Sequence, residues 1–447
     1  MPPPCQHSSL LVNPTVHQYS TAYCQKRPSL HHRIAASTQL ARVDLSAPNS
    51  HPSEDFPAPL VLPDDDLAYD PGCAPQSLRA WLRLNGRNAV TPERRTIYLV
   101  APPEIESGSN LDFVNQWAEP TGSGIVKRDT VEFPKQDDVL AYLAAFYHGM
   151  PVKMLPGPGP SFTANVENDM TPREEKSKSK REARKKVPPC NTLWLNTQTS
   201  EGAIGIKYRA TPNGPYTHQL NLNDLLDAAI AMLPNDAYAL LMIVKHDIFE
   251  DDEDEFACGR AYGGSRIAVV SGARYAPCLD KMQKVNRKDG WPVSHCESCA
   301  EPYGHEPTDG MDDDVEVVGA LRAAVTAHMK LGKLDGKLSR KKLEGLWLGR
   351  ICRTGGHEVG HCFGIGHCVY YACSMQGTAS IIEDSRQPPY LCPVDLEKIL
   401  KATGADVIER YEALLEFCRK FGEVHLFAAY AAWIRHRIRT IEKSRIS

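Results

Sequence analysis

The sequence predicts an α+β protein in which helices and strands alternate along the chain. Residues 238–249 ("YALLMIVKHDIF") form a long apolar run typical of a buried strand, and residues 265–275 ("SRIAVVSGARY") form a second one. Residues 221–233 and 316–331 place apolar side chains at intervals of three and four, which indicates amphipathic helices. Such an order is typical of an α/β or α+β core, with a sheet covered by helices.

The earlier part of the chain shows the same alternation. Helical spacing at 77–86 precedes a strand-like run at 94–103, and residues 137–155 predict an amphipathic helix that ends at a glycine. A further strand is expected at 202–210. Folded structure is therefore expected from about residue 76.

The composition predicts a globular, intracellular protein. The chain has 447 residues, 42% of them hydrophobic, and a formal net charge of -4, which creates no general attraction for nucleic acid or anionic lipid. Its fourteen cysteines could suggest a disulfide framework, but a chain of this length does not need one. We expect reduced cysteines, no membrane span, no secretory leader at the start of this sequence, and a cytoplasmic or nuclear location.

Changes in composition suggest the domain boundaries. Residues 1–75 are rich in Pro, Ser and His and are expected to be a disordered N-terminal extension. A single folded domain is expected over 76–430, interrupted by a basic linker at 166–190 and an irregular insertion at 280–316, with a C-terminal helical tail at 431–447.

The basic segment at 173–186 allows more than one interpretation. Its dense Lys and Arg residues fit a solvated linker, a nuclear-import signal or a nucleic-acid contact. It contains no aromatic residue on which a base could stack. We expect no nucleic-acid partner, and this segment is the one candidate for such a contact.

One helix carries the spacing of a metal site. His357 and His361 lie four residues apart and therefore on the same helix face, where their rings can reach one ion at roughly 2.0 to 2.1 Å. Glu358 flanks the ion without binding it, which is the place for a general base that takes a proton from metal-bound water. Gly364 can end the helix with a sharp turn that brings His367 back to the metal.

The full pattern is more specific than the histidine pair. HExxH alone arises by chance on ordinary helices, but HExxHxxGxxH followed by Met375 is the metzincin signature. Three protein ligands leave a fourth position open, as in a catalytic rather than a structural zinc site.

The cysteines that follow the third histidine extend the pattern. Cys368 comes directly after His367, Cys373 comes two residues before Met375, and "CPVDLEKIL" begins at Cys392. In these features the chain resembles the archaemetzincin family, from about residue 90 to 415. The resemblance implies a zinc-dependent peptidase with a metzincin-like fold: a twisted mixed sheet, an active-site helix, a methionine turn and C-terminal helices. It also implies two zinc ions, one catalytic and one structural, the second held by these cysteines.

The sequence departs from the family at one position. The family ends its second site with CxxC, whereas this chain has Asp395 three residues after Cys392. A carboxylate can bind zinc, so Asp395 is either the fourth ligand or the N-cap of the helix "LEKILKATG". A filled second site would stiffen the turn that carries His367 and Met375.

Other candidates have weaker patterns. "HCESCAEPYGH", with His295, Cys296, Cys299 and His305, has ligand-type residues but fits no standard zinc finger, and a reduced loop is the simpler interpretation. Tyr370 and Tyr371 are the nearby candidates for stabilising a tetrahedral intermediate. The sequence does not show whether one of them, or neither, has this role.

These observations predict a zinc metallopeptidase that acts on peptides or proteins, with aminopeptidase activity discussed for the family. Glu358 would assist attack of zinc-bound water, and the strand at "RIAVVS" would form the sheet edge along which a peptide lies. The alternatives are a catalytically inactive, zinc-containing peptide-binding module and a nucleic-acid-associated protein that uses the basic segment 173–186. The intact Glu358 argues against the first, and an open three-histidine site would be unexplained by the second.

Overall fold

The fold is described from a computed structural model of the chain. The described residues are 10–11, 29–39, 55–62, 65–69, 74–164, 191–199, 202–296, 319–334 and 336–446. The predicted basic linker at 166–190 and the part of the predicted insertion at 297–316 lie outside them.

The described residues contain eleven strands in two sheets. In chain order these strands are Thr96–Val100 (β1), Glu104–Ile105 (β2), Val152–Met154 (β3), Ser161–Thr163 (β4), Asn191–Asn196 (β5), Ala203–Ala210 (β6), His218–Asn221 (β7), Ala237–Val244 (β8), Ile248–Phe249 (β9), Gly259–Tyr262 (β10) and Ile267–Ser271 (β11). The first sheet has the order β10-β11-β8-β1-β3, and the second has the order β2-β4-β5-β6-β7-β9. The prediction of a mixed sheet holds for each, but there are two sheets rather than one.

The first sheet forms the centre of the molecule. Its strands β11, β8, β1 and β3 run parallel, and β10 is an antiparallel edge strand. Every residue of β8 ("AYALLMIV") is buried, as expected for a strand with helices or sheet on both faces. Leu241 and Ile243 face one hydrophobic cluster, and Leu240 and Met242 face the other, so alternate side chains fill separate layers.

The prediction that the "RIAVVS" strand forms the sheet edge is wrong, because the edge lies one strand further out. The "RIAVVS" strand, β11, pairs with β8 on one side and with β10 on the other. The edge is β10, whose sequence "GRAY" is short and weakly apolar and therefore gave no strand pattern. Its register, Arg260 opposite Val269, shows that the chain doubles back through the turn at 263–265.

The helices surround the first sheet and form a C-terminal cluster. In chain order they are Leu30–Ala36 (α1), Asp66–Tyr69 (α2), Leu78–Leu82 (α3), Phe113–Trp117 (α4), Gln136–Phe146 (α5), Leu222–Ala231 (α6), Ala320–Lys330 (α7), Arg340–Cys362 (α8), Ile381–Arg386 (α9), Pro393–Thr403 (α10), Val407–Lys420 (α11) and His425–Ile446 (α12). The long helix α8 packs on β8, β10 and β11 and against α5 and α12. In the part of the chain that is described, no helix combines the length and apolar character needed to cross a membrane.

Part of the predicted disordered extension is packed in the structure. Residues 55–62 are all buried, and Phe56 contacts the rings of Tyr390 and Trp433 edge-on. Asp55 forms an ion pair with Arg437. The prolines of this segment removed any helix or strand period from the sequence, but they do not prevent an extended segment from burying its apolar side chains.

Two other predicted boundaries also differ from the structure. The predicted tail at 431–447 begins in the middle of α12, and Trp433 of that helix is fully buried. Within the described part of the predicted insertion, residues 280–296 contain short 3-10 turns, and Asp280 forms buried ion pairs with Arg287 and Arg350.

Candidate metal centre

The helix α8 carries the histidine pair; its N-terminus is capped and one of its faces is buried. The Ser339 side chain accepts a hydrogen bond from Lys342 N at the helix start, and Leu343 and Ile351 lie in the core. At Gly360 an added Cβ would lie 2.6 Å from Sδ of Met375, so only glycine lets that methionine pack directly beneath the helix. The predicted methionine turn is thus in contact with the histidine helix.

A glycine turn brings the third histidine back to this helix. Gly364 has φ of 73°, a left-handed conformation that glycine adopts without a steric penalty. The ring centroids of His357, His361 and His367 then lie 4.7 to 5.2 Å apart. One nitrogen of each ring lies within 4.8 Å of the corresponding atoms of the other two, a group that could hold a metal ion.

Backbone carbonyls fix the orientation of two of these rings. Nδ1 of His357 lies 2.6 Å from the carbonyl oxygen of Ser374, and Nδ1 of His361 lies 2.7 Å from that of Ile365. A carbonyl oxygen can only accept, so each Nδ1 must carry the proton. The two Nε2 atoms are then both acceptors, and they face each other at 3.0 Å.

This arrangement is unfavourable unless a cation lies between the rings. Protonation is a poor solution, because burial and the neighbouring histidines lower the pKa of His357 well below its usual value, and burial and His361 lower that of His367 to about 4. The donor set therefore fits a metal cation, with neutral imidazoles as ligands and carbonyls that orient them.

Glu358 lies next to this triad in a buried position. Burial raises the pKa of its carboxyl to about 8, and the positive charge of Arg260 acts in the opposite direction. The edge strand β10 runs so close that a Cβ on Gly259 would lie 3.2 Å from Cγ of Glu358. A buried carboxyl with a strongly raised pKa, in a cleft, is typical of a functional acid or base.

The cleft in front of the triad has a volume of about 260 Å³. Its walls come from the segment that leads into β10, from α8 and from residues 378–387. Tyr275 and Thr354 lie in it and share a hydrogen bond of 2.8 Å. Asp384 is held by a buried ion pair with Arg353 at 2.6 Å.

These cleft residues could not be predicted from the sequence, because no local spacing connects them. Tyr275 and Thr354 are about 80 residues apart in the chain, and Arg353 and Asp384 are about 30 residues apart. Among the described residues, Tyr275 is the tyrosine that lines the cleft. The candidates Tyr370 and Tyr371 do not, and Tyr371 instead lies under the guanidinium of Arg33.

A second group of ligand-type side chains lies behind the turn. Cys368, Cys373, Cys392 and Asp395 are buried, with all four ligand atoms within 4.8 Å of one another. The sulfurs of Cys368 and Cys392 are 3.6 Å apart, and Oδ2 of Asp395 lies 3.5 Å from the sulfurs of both Cys373 and Cys392. A tetrahedral zinc site with bond lengths of about 2.3 Å to sulfur and about 2.0 Å to oxygen has sulfur–sulfur edges of about 3.8 Å and sulfur–oxygen edges of about 3.5 Å. The geometry of this group fits such an ion.

Asp395 does not take the alternative role of a helix cap. Cys392 occupies the N-cap of α10, and Asp395 is the third residue of that helix. Its Oδ1 instead accepts a hydrogen bond of 2.8 Å from Nζ of Lys398. Burial raises the pKa of Asp395 to about 7 and that of Cys368 to about 12, so a cation bound between them would favour the charged form of both groups.

The described part of the "HCESC" segment does not join either group. His295 is buried, with Nδ1 3.0 Å from Oγ of Ser294, and Cys296 pairs with Leu10 in an isolated β-bridge. Cys299 and His305 lie outside the described residues. The two groups given above are the candidate ion sites of three or more side chains found in the described part of the chain.

Three features are typical of a metalloprotein site in a mixed α/β fold. They are the helix with HExxHxxGxxH, the turn that brings back the third histidine, and the buried methionine below them. Residues 335–401 match the model of Peptidase family M54. This match and the similarity to curated archaemetzincins support the resemblance to the archaemetzincin family found in the sequence.

Two relatives show the extent of this similarity. The chain is 26% identical over 199 residues to archaemetzincin-2 of Macaca fascicularis, covering 44% of this chain and 46% of the relative. It is 23% identical over 370 residues to archaemetzincin-2 of Pongo abelii, covering 82% of this chain and 76% of the relative. In the first alignment, this chain therefore spans about half the relative's length.

A solved structure, the crystal structure of archaemetzincin from Methanopyrus kandleri, aligns with 16% identity and a TM-score of 0.31. The alignment covers 71% of this chain and 99% of that one.

Proposed function

We propose that this protein is a zinc metallopeptidase that hydrolyses peptide bonds in peptides or proteins. The observation that carries the proposal is the buried Glu358 beside three convergent histidines at the base of an open cleft. The match to Peptidase family M54 agrees with this chemistry.

His357, His361 and His367 would hold the catalytic zinc. The carbonyl contacts that orient His357 and His361, and the neutral ring nitrogens of all three, suit this ion, which binds imidazole well and accepts three protein ligands with one open position. When bound there, zinc would act as a Lewis acid and make water acidic enough to attack near neutral pH.

Glu358 would be the general base and then the general acid. It takes a proton from the attacking water and later delivers it to the nitrogen of the leaving amine, so one carboxyl serves both steps. Because this side chain is buried, little bulk water competes for its proton. Arg260 on β10 favours the charged form, which is the form a base needs.

The edge strand β10 would align an extended substrate. Its inner side pairs with β11, and its outer side has no partner strand in the described part of the chain. A peptide could add to that edge through main-chain hydrogen bonds. Since Gly259 of β10 lies against Glu358, such a peptide would pass close to the base and the three histidines.

The second group would hold a structural zinc through Cys368, Cys373, Cys392 and Asp395. Four protein ligands leave no open position, which suits a structural rather than a catalytic ion. Cys368 adjoins His367, so the second ion would fix the backbone next to a catalytic ligand.

The test is cleavage of a diverse peptide library by zinc-loaded protein and by the Glu358→Gln variant, with zinc content measured on both. The proposal expects cleavage by the wild type and a loss of at least about a hundredfold in the variant at equal zinc content, the range seen when a general base is removed. Release of N-terminal residues would show an aminopeptidase, and internal cleavage an endopeptidase. Equal cleavage by both proteins would contradict the role of Glu358, and zinc-loaded wild type without any cleavage would favour the binding-module alternative.

A further inference from the structure

A glutamine far away in the sequence holds the turn that carries His367. Nε2 of Gln76 donates a hydrogen bond of 2.9 Å to the carbonyl oxygen of Gly364, and Oε1 accepts one of 3.1 Å from Gly366 N. One side-chain amide thus binds both glycines of the turn, which are the residues with the greatest intrinsic freedom in it. This contact fixes the backbone immediately before the third histidine.

The same glutamine is bound from its other side by a buried lysine. Nζ of Lys398 donates to the main-chain oxygen of Gln76 at 2.8 Å and to its Oε1 at 2.9 Å. It also donates to Oδ1 of Asp395 at 2.8 Å, and both side chains of this ion pair are only 1% exposed. A lysine is rarely so buried unless its partners are fixed.

The two carboxylate oxygens of Asp395 have different partners. Oδ2 faces the sulfurs of Cys373 and Cys392, whereas Oδ1 faces Lys398. A cysteine at this position would offer one sulfur atom, so the metal ligand and the acceptor for Lys398 could not be separate atoms. The aspartate therefore connects the cysteine group, through Lys398 and Gln76, to the histidine turn.

We propose that Gln76 and Lys398 are positioning residues that couple the Cys–Asp group to His367. The inference rests on the proposed function in so far as both groups bind metal. An ion in the Cys–Asp group orients Asp395, Lys398 follows its Oδ1, and the Gln76 amide holds the turn in the conformation that completes the three-histidine site. The contacts of Gln76 with Gly364 and Gly366 act on the ligand's backbone, as partners beyond the ligands commonly do.

The test uses two variants that interrupt the chain of contacts at different points. Gln76→Leu removes the amide, and Asp395→Cys supplies a thiolate ligand but no oxygen for Lys398. Gln136→Leu is the matched control, because Gln136 is a partly buried glutamine that bonds only to the nearby Pro134 oxygen and lies outside both sites. Each protein is loaded with Co²⁺, which reports thiolate ligation through strong near-ultraviolet absorption, and is titrated with a chelator. Peptide hydrolysis by the zinc-loaded forms is measured in parallel.

The expected result is binding of cobalt at the histidine site about tenfold weaker in both variants than in the control, with the thiolate absorption retained. Hydrolysis should fall mainly through kcat, since the turn positions a metal ligand rather than the substrate. Thermal unfolding identifies any variant that fails to fold, and Gln76→Glu, which keeps the acceptor for Gly366 and Lys398, should then show a smaller loss than Gln76→Leu.

Histidine-site affinities equal to that of the control in both variants would overturn the proposal. Loss of cobalt affinity without hydrolysis by any protein, including the wild type, would support the coupling and contradict the peptidase function. The two claims therefore fail separately.

Discussion

Glu358→Gln should stabilise the metal-free protein near neutral pH, although it removes the proposed general base. The folded protein holds the Glu358 carboxyl in a buried position that raises its pKa from 4.5 to about 8. The native state thus binds this proton more tightly than the unfolded state, and its stabilising effect is complete below pH 4.5 and lost as the pH rises towards 8. Glutamine has nearly the same shape and no charge, so it does not suffer this loss.

The size of the effect follows from the pKa difference. Each pH unit between the two pKa values costs the wild type about 1.36 kcal/mol relative to the variant. Between pH 4.5 and pH 7.5 the difference in free energy of unfolding should therefore grow by at most about 4 kcal/mol in favour of the glutamine protein. Any difference in packing between Glu and Gln is independent of pH and adds a constant.

The assay is urea unfolding of both proteins with a chelator present, at several pH values from 5 to 7.5. The predicted outcome is a difference in the free energy of unfolding that increases with pH from its value at pH 5. Parallel stability curves at all pH values would contradict this prediction, because they would show that Glu358 ionises in the folded protein as easily as in the unfolded chain. Adding zinc should reduce the difference, since a nearby dication favours the carboxylate.

Three further predictions concern packing and pH. Gly356→Ala should stabilise the protein by about 1 kcal/mol through helix propensity, since its added Cβ would meet only ordinary contacts at 3.6 Å. Gly360→Ala should destabilise the protein by about 1 to 3 kcal/mol, because its Cβ would displace the sulfur of Met375 below the helix. Thermal or urea unfolding compares the two variants, and equal effects would contradict the packing described. Phe56→Ala should cost about 3 to 5 kcal/mol in urea unfolding if residues 55–62 belong to the core, and a loss below about 1 kcal/mol would show that they do not. Arg260→Met should move the acid limb of the kcat/KM profile to higher pH, more so at low salt, because the guanidinium favours the charged form of the general base; an unmoved limb would exclude that influence.

The sequence predicted those parts of the site that lie close together in the chain. The helix spacing of His357 and His361, the turn at Gly364 and the return of His367 depend on neighbouring residues, and the structure brings the three side chains together. The same holds for Asp395, which lies one helical turn after Cys392. Local periodicity is a strong predictor at this range.

Contacts between distant segments could not be predicted in this way. Gln76 and Lys398 are 322 residues apart, and nothing in either surrounding sequence indicates that they touch. The edge strand β10 is too short to show a period, and the proline-rich segment around Phe56 shows none although it is buried. Tertiary packing, rather than local propensity, determines these features.

The most direct test of the central claim is X-ray diffraction at the zinc absorption edge from crystals of the zinc-loaded protein. An anomalous peak is expected between His357, His361 and His367, beside Glu358, and a second peak among Cys368, Cys373, Cys392 and Asp395. A peak at the second position with none between the histidines, in crystals whose protein hydrolyses peptides, would contradict the proposed catalytic centre.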